Sequence, residues 1–172
     1  MAWIYELPVG QSKLWTVSAN KVVSTVVSGW QVHAVFTYQS GSTLGFGKAI
    51  LLPGATMADV VLPADRRTIL QWFNVSAFNP NSGQQLGSHI VTLFSAFSGV
   101  RAPVVNNWDL SALKNTRIRE RAQLQFAAQF INALNHAQFT APNTSPTSTA
   151  FGQVTGAYNW QRIIELGMKM TF

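Results

Sequence analysis

The chain has 172 residues, a formal net charge of +6 and no cysteine; 47% of it is hydrophobic and only 10% is charged. Such a composition excludes a disordered chain, and the absence of cysteine excludes disulfides, thiolate metal sites and cysteine nucleophiles. No apolar run reaches the roughly 18 residues that a membrane-crossing helix needs, so the hydrophobicity is spread along the chain.

Alternation spreads it. Side chains point to opposite faces of a strand in turn, so a period of two marks a sheet with one apolar face. Residues 2–7 set Trp3, Tyr5 and Leu7 against Ala2, Ile4 and Glu6. Residues 20–28 predict a short helix capped by Asn20, although their valines are weak helix formers. Residues 30–39 set Trp30, Val32, Ala34, Phe36 and Tyr38 against Gln31, His33, Val35, Thr37 and Gln39. Residues 108–113 set Trp108, Leu110 and Ala112 against Asp109, Ser111 and Leu113. In 121–130, Leu124, Phe126, Ala128 and Phe130 share one face, whereas a helix would split the two phenylalanines from Leu124 and Ala128. Residues 161–172 end the series with Ile164, Leu166, Met168, Met170 and Phe172 on one side. No charge falls on the apolar face within these windows.

The connections differ in kind. Residues 48–105 and 136–160 are long and rich in Gly, Pro, Ser, Asn and Thr, while Arg119 and Glu120 mark a tight turn. No internal repeat or domain boundary stands out, so residues 1–172 read as a single segment. The opening MAWIYELPVG has no basic stretch leading into an apolar core, which predicts no signal peptide.

Strands with one apolar face suit two architectures. A soluble β-sandwich, here a carbohydrate-binding module, turns those faces inward. A transmembrane β-barrel turns them outward to lipid and lines its lumen with polar residues. The barrel is favoured by a polar face poor in Lys and Glu, by aromatics at the ends of the apolar rows, and by alternating long and short connections. A 12-residue strand tilted by about 40° rises roughly 30 Å, enough to cross an apolar band of about 25 Å. With Phe172 on the inner side, loops 48–105 and 136–160 lie outside, and 9–28 forms a long inner connection. The expected fold class is therefore all-β: an antiparallel transmembrane β-barrel segment of about five strands with long outer loops. Five strands do not close a barrel, since bacterial single-chain barrels have eight or more. The segment is expected to belong to a larger barrel or to close with further copies of itself.

Candidate chemistry is sparse. His33, Asp109 and Ser111 share a face by parity, but no nucleophile elbow surrounds Ser111. Glu6 and Glu165 are carboxylates that could pair as in glycosidases, and His33, His89 and His136 lack metal-ligand spacing. The trio and the two glutamates read better as lumen lining. The basic residues Arg66, Arg67, Arg117, Arg119 and Arg121 come without interleaved aromatics, so nucleic acid is not an expected partner. Asn74-Val-Ser76 and Asn143-Thr-Ser145 match a glycosylation tripeptide that is common by chance. No enzyme activity, cofactor or metal is expected. Trp72, Phe73 and Phe78 are the candidate outer-loop ligand contacts, with Phe94 and Phe97 beside them; packing over the barrel mouth is the favoured role.

Several stretches carry a family resemblance: YELPVG at 5–10, GWQVHAVFTYQSGSTLGF at 29–46, DRRTILQWFNVSAFNP at 65–80, NNWDLSALKNTRIRERAQLQFAAQFINALNHAQF at 106–139 and FGQVTGAYNWQRIIELGMKMTF at 151–172. In order and spacing they resemble the C-terminal part of Oar-like TonB-dependent receptors. That resemblance implies a bacterial outer-membrane barrel of about 22 strands, plugged by an N-terminal domain and driven by an inner-membrane energy-coupling complex. The implied function is substrate uptake, to which this chain contributes only within the full receptor. The implied partners are outer-membrane lipid, the barrel-assembly machinery, the rest of the barrel with its plug and, through that plug, the energy-coupling complex. Plug and earlier strands are expected to be absent here, making the chain a C-terminal fragment. Ile164, Leu166, Met168, Met170 and Phe172 resemble the lipid-facing terminal strand whose final aromatic the assembly machinery reads.

Overall fold

The computed structural model describes residues 1–9, 21–87, 90–119 and 122–172. Asn20, His89, Glu120 and Arg121 lie outside the described residues, so the expected helix cap and the core of the tight turn do too. The described residues form two compact units: 1–38, 106–137 and 160–172 make the first, and 39–105 with 138–159 make the second.

The first unit is an antiparallel sheet. Its strands are β1 (Ala2–Glu6), β2 (Trp30–Gln39), β5 (Val105–Arg119), β6 (Ala122–Ile131) and β7 (Ile163–Thr171), paired in the order β1-β2-β5-β6-β7. All five alternating windows are strands. Consecutive strands are neighbours except at β2–β5, where the pair β3 (Thr43–Leu44) and β4 (Phe97–Arg101) falls between them in sequence and forms its own small ladder. The sheet is open: β1 and β7 each pair on one side only among the described residues. Ten residues of β2 or β6, tilted as in barrels, rise about 25 Å, the height of the apolar band of an outer-membrane barrel. By topology, both long connections leave from one end of the sheet, and the β1–β2 and β5–β6 connections leave from the other.

A short helix, α1 (Lys21–Val27), precedes β2 at the position expected. Gly29 joins them at φ 78°, where a Cβ would stand 2.6 Å from the Asn115 carbonyl oxygen, so the helix can turn into the sheet only through glycine. The helix end is then fastened to the sheet. Trp30 Nε1 donates to the Val26 carbonyl at 2.9 Å, and Lys114 Nζ donates to the carbonyls of Thr25 at 2.8 Å and Ser28 at 2.6 Å. These donors satisfy carbonyls that the last helical turn leaves without partners.

The second unit has its own apolar core of Leu44, Phe46, Ala49, Val60, Phe73, Ala77, Phe78 and Val100. Its phenylalanines pack mostly edge to face: Phe46 meets Phe73 at 5.1 Å, and Phe151 meets Phe73 at 5.3 Å and Phe78 at 5.2 Å between ring centroids. Little regular structure holds the backbone here, so side-chain turns do. Asn74, Asn81 and Asn143 each accept from the N–H two residues ahead. Gly152, at φ 79°, brings the 143–153 turn so close to Val75 that a Cβ there would stand 2.4 Å from its Cγ1.

Candidate functional site

The register fixes which residues share a face. On one side, Trp3 pairs with Ala34 and Tyr5 with Val32; Leu110 pairs with Phe130, Ala112 with Ala128 and Thr116 with Leu124. The row continues across β7, where Phe130 meets Ile164, Ala128 meets Leu166, Phe126 meets Met168 and Leu124 meets Met170. Trp108 stacks on Phe36 at 4.5 Å and on Trp3 at 5.9 Å, which carries the same face across β1, β2 and β5. This face is mostly apolar over all five strands, and much of it is bare. Leu166 is 70% and Met168 72% exposed, and Phe172 at the end of the row is 87% exposed.

One charge joins this face. Lys114 pairs with Phe126, one residue beyond the 108–113 window, and its ammonium lies 5.5 Å from the centre of the Trp30 ring. With two helix carbonyls as acceptors, the charge is solvated by the protein itself.

The opposite face carries Gln31, His33, Ser111, Asn115, Gln123, Gln125, Gln129, Glu165 and Lys169, with Ile4, Val35, Ile131 and Ile163 among them. A cleft of about 200 Å³ on this face is lined by His33, Asp109, Ser111 and Gln129. The structure thus brings the parity-matched trio together, but not as a triad. The Asp109 carboxylate accepts from Asn107 Nδ2 at 2.9 Å and from the Asn132 N–H at 2.8 Å. It closes the end of β6, where Asn132 takes the left-handed conformation that asparagine tolerates. The Asn132 amide in turn donates to the carbonyls of His136 and Trp160. His33 Nε2 is buried without a hydrogen-bond partner among the described residues.

Glu6 and Glu165 stand on β1 and β7, the two edges of the sheet, four strand spacings or about 19 Å apart along it. No group of His, Asp and Glu able to hold a metal ion occurs among the described residues. Arg67 Nε donates to the Leu62 carbonyl, and Arg117 stands opposite Gln123 on the polar face. Asn74 and Asn143, the two tripeptide asparagines, use their side chains to hold turns.

The structure treats the outer-loop aromatics differently from one another. Phe73 is fully buried and Phe78 2% exposed, at the centre of the second unit's core. Trp72 packs against that core and donates its Nε1–H to the Arg101 carbonyl at 2.6 Å. These rings hold the unit together; a ligand would have to open the core to touch Phe73 or Phe78. Phe94, by contrast, is 62% exposed and stacks on Phe97. Sequence reasoning missed this split because loop aromatics carry no period that tells inside from outside.

Compared with known protein families, the chain matches the one described as Outer membrane beta barrel domain over residues 1–165. The chain belongs to that family. It is an outer-membrane barrel domain whose sheet is open, and its location is the bacterial outer membrane. The soluble β-sandwich alternative is set aside on the same finding. No curated protein and no solved structure matches the chain.

Proposed function

We propose that this barrel domain is the C-terminal wall of a TonB-dependent receptor of the Oar-like type and serves substrate uptake across the outer membrane. The observation that carries the reading is the face that runs across five strands of an open sheet and is apolar but for a few positions such as Lys114 and Thr116. Ile164, Leu166, Met168, Met170 and Phe172 would meet lipid, and the opposite face would line the lumen. Lys114 fits this orientation. A lysine facing lipid costs about 2–4 kcal/mol at the bilayer midplane and about 0–1 near the interface. Capping the end of α1 beside Trp30 gives its charge partners at the level where Trp and Lys mark membrane interfaces.

The open edges call for partners. An unpaired strand edge in lipid leaves backbone groups unsatisfied at several kcal/mol each, so β1 and β7 must pair with further strands. The rest of a receptor barrel supplies them, with a plug inside that reaches the energy-coupling complex. The barrel-assembly machinery would read the apolar row of β7 through Phe172. The role is transport rather than catalysis, without cofactor or nucleic acid. The mass of the native, heat-modifiable protein extracted from outer membranes tests this. The reading predicts one long polypeptide carrying this sheet. A closed oligomer of 18.9 kDa chains would contradict it.

A further inference from the structure

The second unit contains a cleft of about 500 Å³, in the size range of small-molecule sites. Phe139 and Tyr158 form one wall, and both rings are open to solvent, at 37% and 57%. Their backbone is set by a short ladder: Thr140 N–H donates to Gly156 O, Tyr158 N–H donates to Gln138 O, and Phe139 bridges Ala157. The other wall is the 39–42 turn against 102–103. There Gly41 lies so close to Ala102 that a Cβ would stand 1.8 Å from the Ala102 carbonyl oxygen, and Arg101 holds the Gly41 carbonyl at 3.0 Å. Both walls are thus fixed before any ligand arrives.

Some amides of the unit are spent within it, while those at the cleft are open. Asn79, Asn81, Gln84, Gln85 and Asn143 all spend their amides on internal hydrogen bonds. At the cleft, the side chains of Gln39, Ser40, Ser42 and Tyr158 have no hydrogen-bond partner among the described residues. No Asp, Glu, Lys or Arg lines it. A charged ligand would find no compensating charge there, and a hydrocarbon would leave four polar groups unused. Two exposed rings, two serine hydroxyls, the Tyr158 phenol and an amide match a sugar, whose C–H face stacks on aromatic rings while its hydroxyls exchange hydrogen bonds.

We infer that this cleft binds a neutral oligosaccharide. The inference deepens the uptake reading by naming a ligand class, and it rests on that reading only for its biological purpose. Binding is measured without transport, so its failure removes the site and leaves the barrel reading in place.

The test is calorimetric titration of the purified protein in detergent micelles. The probes are neutral trisaccharides of glucose, mannose and galactose, with trigalacturonate and an end-blocked trialanine as anionic and peptide comparators. At least one neutral trisaccharide is expected to bind with Kd of about 1 mM or tighter. Tyr158→Ala is expected to weaken it at least tenfold and Tyr158→Phe, which keeps the ring, by less. Gln39→Ala, in an exposed position that packing does not need, is expected to weaken it severalfold. No binding of any neutral trisaccharide up to about 10 mM would overturn the inference. So would affinity indifferent to all three substitutions, or tighter binding of the anion or the peptide.

Discussion

The two units of this chain bury their apolar residues by opposite rules. The second hides Phe73, Phe78, Val60 and Val100 almost completely, as any water-soluble core does. In the sheet, the only buried hydrophobic residue among those described is Ala128, while Leu166, Met168 and Tyr38 lie open. Both units are rich in aromatics, so composition does not separate them. The separation lies in order. In the sheet apolar residues recur at nearly every second position, which builds a face but no interior. In the loops the apolar residues follow no period and can close only on one another. A face without an interior is stable only where the solvent itself is apolar.

This comparison can be broken at each side, beginning with the largest effect. Phe73→Ala removes a ring at the centre of the loop core and is expected to cost that unit about 3–5 kcal/mol, read by denaturant unfolding followed through Trp72. The sheet should be insensitive to it, so heat-modifiable mobility of the barrel should survive.

Leu166→Arg puts a charge on the apolar face and is expected to cost about 2–4 kcal/mol in bilayer refolding titrations. The same arginine at Gln129, on the other face, should cost far less. Equal costs would mean that the two faces do not see different solvents.

Asp109→Ala leaves the Asn132 N–H without its acceptor, a loss of about 1–3 kcal/mol. Hydrogen exchange should quicken at Asn132 and at the end of β6 while β1 and β2 keep their protection. Catalytic readings of Asp109 predict no such local loosening.

The smallest effect is in the loops. The Asp59 carboxylate accepts from the Thr56 hydroxyl at 2.7 Å and from its N–H at 2.8 Å, and these bonds hold its pKa below the ordinary carboxylate value. A depressed folded pKa stabilises above the unfolded value, and that contribution fades as pH falls through the folded one. The Thr56 amide resonance should therefore shift with a midpoint below that of an ordinary carboxylate. Asp59→Asn should abolish that shift.

What could be read from the sequence follows the same division. The five strands, their faces and the short helix were legible because a period of two survives in residues 30–39, 121–130 and 161–172 whatever packs around them. Lys114 was not, because a single charge one position past an alternating window shows its parity but not the helix carbonyls that receive it. The loop core was illegible for a stronger reason. Phe46, Phe73, Phe78 and Phe151 meet across more than 100 residues, held by asparagine turns and by Gly152, and no local pattern encodes such contacts. The role of Asp109 as a strand-end acceptor depends on the left-handed Asn132, which sequence alone leaves among many equal options.

The most direct test of the account is the environment of adjacent β7 side chains in native outer membranes. Single cysteines at Leu166 and Met168 should resist a water-soluble maleimide and, once carrying a fluorophore, be quenched by nitroxide-labelled lipid. Cysteines at Glu165 and Lys169 should show little lipid quenching, and the maleimide should reach them once the lumen is open. Alternating protection along β7 is the predicted result; quenching that ignores parity, or falls on Glu165 and Lys169, would contradict the orientation of this sheet in the membrane.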